Sequence, residues 1–80
     1  MNQQQLFESY WAIIESGNPL TVEVVGGIVK VLWKENNRYF LSAADKKVSV
    51  SRRRARTEIH NMVARLLDER KTQEKREREV

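Results

Sequence analysis

Apolar residues recur at helical spacing near the start of the chain. They are Leu6, Phe7, Tyr10, Trp11 and Ile14. This spacing places them on one face of a helix. Gly17 and Pro19 follow in the usual order of a C-cap and a helix breaker. The pattern therefore predicts a first helix that ends at Gly17.

The spacing of the apolar residues then changes from the period of a helix to a period of two residues, which is that of a strand. In "LTVEVV", Leu20, Val22 and Val24 alternate with Thr21 and Glu23, which predicts a half-buried strand. The dipeptide that follows, residues 26–27, is Gly-Gly, which favours a two-residue hairpin turn because such turns need positive φ. "IVKVLWK" predicts a second strand, "ENNR" a second turn and "RYFLS" a third strand. We interpret "AADKK" as a loop, and "VSV" as no more than an edge strand or an extended lead-in.

A second helix is predicted from Ser51 onward, with Ser51 as its cap. Its apolar stripe falls within an arc of about 100°, the width of a core-facing stripe. The stripe consists of Ala55, Ile59, Met62, Val63, Leu66 and Leu67. After Leu67 the sequence is charged. We therefore expect one compact domain over residues 1–67 and a charged, helical C-terminal extension over residues 68–80.

These elements predict an α+β fold in the order α-β-β-β-α. A three-stranded antiparallel meander would pack with an N-terminal helix and a longer C-terminal helix. The second strand is apolar on both faces, with Val29 and Val31 on one and Ile28 and Leu32 on the other. Either one helix covers each face, or an uncovered face or edge is available to a two-fold homodimer or a protein partner.

Composition narrows the class of protein. Of the 80 residues, 40% are hydrophobic and 32% charged, which is typical of a globular domain. There is no cysteine, which excludes disulfides and thiolate metal sites. No apolar run approaches the length of a membrane span, and the start lacks the pattern of a signal peptide. We expect a soluble, cytoplasmic protein with no membrane partner.

The positive charge is concentrated in one part of the chain. The formal net charge is +4. Six cations and only one acid, Asp45, lie within residues 45–57. We call these six cations the basic patch: Lys46, Lys47, Arg52, Arg53, Arg54 and Arg56. Its four arginines lie at the start of the last helix, where the macrodipole makes each cation cost a few tenths of a kcal/mol.

An anionic partner would explain this placement. Guanidinium groups bind phosphate oxygens bidentately, and a helix N-terminus adds free N–H donors. We therefore interpret the basic patch as a contact for phosphates or nucleic acid. Two alternatives stay open. The patch would also suit an acidic surface of a partner protein, or it would be a solvated face that keeps a small protein dispersed.

The second predicted hairpin is a candidate for a secondary contact. It combines an aromatic ring, two cations and two amides in Trp33, Lys34, Asn36, Asn37 and Arg38. Such a tip can stack on a base or enter a groove. A purely structural interpretation is also available. Asn-Asn is good turn chemistry, and Trp33 would then pack with Val29 and Val31 under a helix.

The string "SRRRAR" resembles the start of the second helix in the double-stranded RNA-binding domain. That start has two basic residues, a spacer, an alanine and a further basic residue, here Arg52, Arg53, Ala55 and Arg56. The predicted order of elements is similar too. The resemblance implies that these arginines hold phosphates across the major groove of duplex RNA. The chain departs from the family in its short Gly26-Gly27 turn and in lacking glycines before the second helix.

Candidates for catalysis are few. The single histidine, His60, lies on the polar side of the last helix, without a cysteine or serine-centred motif beside it. Carboxylates are scattered, so neither an acid–base pair nor a metal site is indicated. We expect a small non-enzymatic protein, without cofactor or metal, that binds RNA or DNA. The alternative is a protein-binding inhibitor or adaptor, virus- or mobile-element-like, that docks its basic patch on an acidic partner.

Overall fold

The computed structural model describes the backbone of residues 2–79 and the side chains of residues 2–69. Its elements are α1 (Gln3–Glu15), β1 (Leu20–Val25), β2 (Ile28–Glu35), β3 (Arg38–Ala43), β4 (Lys46–Val50) and α2 (Arg52–Glu79). The strands form one antiparallel sheet in the order β1-β2-β3-β4. The predicted α+β class and its two helices are confirmed. Within the described residues, no helix is long and apolar enough to cross a membrane.

The prediction of three strands was wrong, because residues 46–50 form a fourth. Ala44 and Asp45 make a tight turn with φ values of 49° and 64°, and Lys46 then pairs with Ala43. A two-residue turn of this kind needs positive φ at both positions, which favours Asn and Gly. Asn36-Asn37, with φ values of 52° and 63°, shows that signature, whereas Ala-Asp does not. The local sequence of residues 44–45 therefore favours a loop over a tight hairpin turn.

Both helices pack on the same face of the sheet. Their buried residues are Phe7, Trp11 and Ile14 from α1, and Ala55, Ile59, Met62 and Val63 from α2. They meet Val22, Leu32, Tyr39 and Leu41 of the sheet. The arrangement with one helix on each face is therefore excluded for this part of the chain. Trp33 neighbours the buried Leu32 and points to the other face, so its predicted packing under a helix was wrong.

A β-bulge interrupts the alternation of β1. The register shifts between Thr21 and Glu23, so that Thr21 pairs with Val31 but Glu23 pairs with Lys30. A bulge adds one residue to its strand and moves the following side chains to the opposite face. Val22 is consequently only 2% exposed, whereas Val24 is 62% exposed. The prediction that Leu20, Val22 and Val24 share one face was wrong for Val24.

Candidate nucleic-acid interface

Helix α2 begins with a polar cap and a run of arginines. The Arg54 backbone N–H donates a hydrogen bond of 3.1 Å to Ser51 Oγ, which confirms Ser51 as the predicted cap. The first turn contains no acidic residue. Nothing within that turn offsets the repulsion between the macrodipole and the arginines, so their placement depends on contacts elsewhere in the fold.

Arg52 and Arg56 lie against the aromatic residues of α1. The Arg56 guanidinium carbon is 4.7 Å from the centroid of the Phe7 ring and 5.0 Å from that of Trp11. Arg52 lies 5.8 Å from the Trp11 ring. These distances are within the range of a cation–π interaction. Both guanidinium groups therefore lie over aromatic rings of α1.

Arg54 turns to the opposite side of α2, where it pairs with a carboxylate of the same helix although 58% of its own side chain is exposed. Its Nη2 atom lies 3.0 Å from Glu58 Oε1, and Lys30 Nζ lies 3.4 Å from Glu58 Oε2. Glu58 is only 5% exposed. Two cations therefore balance a buried carboxylate, as burial of an ionised group requires. The position of Arg54 follows from this pairing without any external anion.

The remaining cations of the basic patch point in different directions. The Arg53 side chain is exposed and forms no salt bridge within residues 2–69. Lys46 and Lys47 are neighbours on the edge strand β4, so their side chains leave opposite faces of the sheet. Lys47 lies over Phe40, on the face without helices. The basic patch is therefore not one continuous surface.

A shallow pocket joins the β2–β3 hairpin to the start of α2. We call it the sheet-end pocket. It has a volume of about 440 Å³ and is lined by Lys34, Asn37, Arg38, Tyr39, Ser49, Val50, Ser51 and Arg52. The lining thus has three cations, two serine hydroxyls and one amide, and none of these lining residues is acidic. Cations and hydroxyl donors converging on one cavity suit a phosphate or a carboxylate.

Glu15 of α1 lies next to this pocket and binds two of its lining residues. Lys34 Nζ is 2.7 Å from Glu15 Oε2, and the Tyr39 hydroxyl donates a 2.6 Å hydrogen bond to Glu15 Oε1. The hydrogen bond from Lys34, followed by that from Tyr39, lowers the pKa of Glu15 below its ordinary value. The same bond to Glu15 raises the pKa of Lys34, and burial raises the pKa of Tyr39. Glu15 therefore stays ionised and offsets Lys34, and the nearby charge of Arg52 also contributes to its lowered pKa.

The face of the sheet opposite the helices carries a pair of aromatic rings. We call this face the open sheet face. The rings of Trp33 and Phe40 stack with their centroids 5.8 Å apart and their planes at 25°. Lys47 Nζ lies 4.5 Å from the Phe40 centroid and 5.5 Å from that of Trp33. Lys47 also approaches Glu35 at 3.9 Å, across a pair that is more than half exposed.

The structure groups the predicted residues in a new way. Arg52 of the basic patch meets Lys34, Asn37 and Arg38 of the hairpin in the sheet-end pocket. On the open sheet face, Trp33 meets Lys47. The rest of the predicted contacts lie outside both groups: Asn36, Lys46, Arg53, Arg54 and Arg56.

Sequence reasoning missed several residues of these two groups. They are Glu15, Tyr39, Phe40 and Ser49, together with Ser51, which was predicted as a helix cap but not as a pocket residue. Alternation along "RYF" indicates that Phe40 and Tyr39 point to different faces of the sheet. Only the β2–β3 register puts Phe40 beside Trp33. Glu15 and Lys34 are far apart in the chain, and no local pattern links them. For these residues the missing information was the pairing of distant segments.

The features relevant to catalysis are limited. The His60 ring stacks on Phe7 with a centroid distance of 3.9 Å and an interplanar angle of 11°, so its aromatic face is engaged. Among the described side chains, no group of histidine and carboxylate residues is placed to hold a metal ion.

The fourth strand separates this fold from the α-β-β-β-α order of the double-stranded RNA-binding domain, because β4 leads directly into α2. The site's own geometry is therefore the basis for assigning a function. Comparisons of the chain with protein-family models, curated proteins and solved structures found no match.

Proposed function

We propose that this chain is a non-enzymatic nucleic-acid-binding protein that holds phosphate groups at the sheet-end pocket. The observation that carries the proposal is the convergence of Arg38 and Arg52 on one cavity, beside Lys34, whose charge is balanced by Glu15. These residues come from two hairpin strands and the start of α2. Cations brought together from separate elements create a focused positive potential, which attracts anions more strongly than the same charge spread out.

The lining chemistry supports a phosphate ligand. Arg38 and Arg52 each provide a planar fork of N–H donors, which matches two phosphate oxygens at once. The hydroxyls of Ser49 and Ser51 add neutral donors in the same cavity. Arg52 is also the first residue of α2, where the macrodipole favours an anion. A phosphate group would therefore relieve the repulsion among the arginines at this end of the helix.

Binding through phosphates predicts a steep dependence on salt. Each phosphate contact releases condensed counter-ions and adds nearly one unit to the log–log salt slope. Two arginines at the pocket should therefore account for a slope change of about two when both are removed. Outward-facing cations such as Arg53 would add to the attraction at long range without belonging to the pocket.

The test is fluorescence anisotropy with labelled duplex RNA, duplex DNA and single strands, at about 50 and 200 mM salt. Wild type is compared with an Arg38→Gln/Arg52→Gln variant. The matched control is Lys46→Gln/Arg53→Gln, which removes the same charge from exposed residues outside the pocket. Circular dichroism of each variant checks that it is folded.

We expect the pocket variant to lose about tenfold or more in affinity and the control to lose much less. Equal losses would mean that binding follows overall charge, and the pocket assignment would fail. If folded wild type binds no nucleic acid at the lower salt concentration, the proposal as a whole is wrong.

A second candidate function is docking on an acidic protein surface as an inhibitor or adaptor. The observation that favours it is the apolar end of the β1–β2 hairpin. Its exposed side chains are Val24, Val25, Ile28 and Val29. Exposed apolar side chains gathered at one end of a hairpin are typical of protein interfaces. This candidate predicts that a pull-down partner is lost with Val25→Thr/Ile28→Thr, whereas nucleic-acid binding does not change.

A further inference from the structure

The open sheet face is organised in rows across the strands. One row consists of Trp33, Phe40 and Ser49, because Trp33 pairs with Phe40 and Phe40 pairs with Ser49. Directly paired residues on one face have their Cβ atoms about 5 Å apart. Ser49 also lines the sheet-end pocket. The aromatic pair and the cationic pocket are therefore next to each other, with Ser49 common to both.

We propose that Trp33 and Phe40 stack unpaired bases, so that the ligand is single-stranded nucleic acid. This inference rests on the proposed function, since the phosphates of the same strand would lie in the sheet-end pocket. A nucleotide whose phosphate meets Arg38 and Arg52 has its base beside Ser49 and Phe40. The next base along the strand meets Trp33.

The geometry of the two rings suits stacking. Their planes differ by only 25°, and their centroids are 5.8 Å apart, so a base that stacks on one ring is nearly parallel to the other as well. Both residues are partly exposed, and neither belongs to the buried core. Aromatic rings on a sheet surface bind bases of any sequence, because every base has a π-face.

Two cations and one carboxylate lie around the rings, and the carboxylate is that of Glu35, 3.5 Å from the indole nitrogen of Trp33. Lys47 Nζ lies above Phe40 and Trp33, and Arg38 occupies the adjoining row, paired with Glu35. An arriving base takes the place of the Lys47 ammonium over the rings, and the ammonium then binds a neighbouring phosphate. Glu35 restrains Lys47 only weakly, at 3.9 Å across an exposed pair.

A duplex presents far fewer base faces that could stack on this surface. Paired bases are already stacked on one another, so their π-faces are hidden and only backbone and groove edges remain available. A single strand can splay its bases onto the rings while its backbone stays at the pocket. The open sheet face therefore favours single strands, and the pocket alone would bind both forms.

The experiment uses oligothymidylate and oligouridylate of about 20 nucleotides, longer than the roughly 4 to 16 that one small domain covers. A duplex of the same length serves as the comparison. The variants are Trp33→Leu and Phe40→Leu, with Trp33→Phe as the conservative control that keeps an aromatic ring. Thermal unfolding of each variant verifies its fold, which should persist because Trp33 and Phe40 are outside the core.

We expect wild type to bind the single strands at least about tenfold more tightly than the duplex. Each leucine variant should lose roughly tenfold for single strands, with its duplex affinity and salt slope unchanged. Trp33→Phe should retain single-strand binding. Tryptophan fluorescence should fall on binding more in wild type than in Trp33→Phe, whose remaining tryptophan, Trp11, is only 6% exposed and lies 5.8 Å from Arg52.

Two outcomes separate this inference from the proposed function. Equal affinity for single strands and duplex, or leucine variants that bind as wild type does, would overturn the stacking of bases. The pocket assignment would still stand in that case if Arg38→Gln/Arg52→Gln loses binding. If wild type binds neither form at about 50 mM salt, both proposals fail together.

Discussion

At the scale of the residue, the arginines at the start of α2 have different roles although they are adjacent in sequence. Arg56 and Arg52 lie over rings of α1, and Arg54 pairs with the buried Glu58. Arg53 is exposed. Successive helical residues are about 100° apart, so neighbours in the sequence face different surroundings. A charge run read from sequence alone therefore overstates how many of its members share one surface.

This division predicts that removal of Arg54 affects stability more than removal of Arg53. Arg54→Ala leaves Glu58, which is 5% exposed, with Lys30 as its remaining partner. We expect a loss of about 1–2 kcal/mol in the free energy of unfolding, because a buried charge loses one of its two partners. Arg53→Ala should change it by less than about 0.5 kcal/mol, as is usual for surface positions.

Urea unfolding followed by circular dichroism measures both values. The two variants remove the same charge from adjacent helical positions, so helix propensity and macrodipole effects nearly cancel in the comparison. Equal losses would contradict a structural role for the pairing between Arg54 and Glu58.

At the scale of the element, the turn before β4 has an unusual sequence for its conformation. Ala44 has a φ of 49°, which non-glycine residues rarely adopt. The left-handed conformation costs an alanine roughly 1 kcal/mol. β4 pairs with β3 along its whole length, from Lys46 opposite Ala43 to Val50 opposite Tyr39. This pairing outweighs the cost of the turn. Long-range pairing thus decided a turn that the local sequence did not favour.

This turn predicts opposite effects of the same substitution at two sites. Ala44→Gly should stabilise the protein by about 0.5–1 kcal/mol, because glycine adopts positive φ without strain. Ala64→Gly, on the exposed side of α2, should destabilise it by about 1 kcal/mol through loss of helix propensity. Thermal and urea unfolding of both variants provide the measurement. A destabilised Ala44→Gly protein would show that the turn is not strained.

At the scale of the whole molecule, packing both helices on one face leaves apolar groups at the β1 side. Val24 and Val25 at the end of β1 are 62% and 60% exposed. A groove of about 390 Å³ follows β1, with Tyr10, Met62 and Leu66 in its lining. β1 is also an edge of the sheet, where a further strand can pair. A homodimer was one of the alternatives that the sequence left open, and it remains a prediction that this side is where it would form.

We therefore expect self-association through the β1 edge, which sedimentation equilibrium over a range of protein concentrations would detect. Val25→Thr/Ile28→Thr should shift the population toward the monomer by removing apolar contact area. Ile13→Thr is the control, because Ile13 is a 36% exposed residue on α1. A wild-type monomer at every concentration, or an equal effect of the control, would contradict a dimer at this edge.

The sequence by itself determined the local structure. Helical periodicity located α1 and α2, and alternation with turn residues located β1, β2 and β3. Ser51 was recognisable as a cap, and Asn36-Asn37 as a turn, because both signals act within a few residues. The position of the positive charge was equally plain. The fold class followed, since these elements allow few arrangements.

Only the tertiary structure decided which face the helices cover and which charges meet. Alternation shows that Leu32 and Trp33 point opposite ways, but not which of them is buried. The bulge in β1, the strand β4 and the pocket around Arg38 and Arg52 all depend on pairing between distant segments. Such pairing follows from the packing of the whole core, whereas local patterns reflect only the conformation of neighbouring residues.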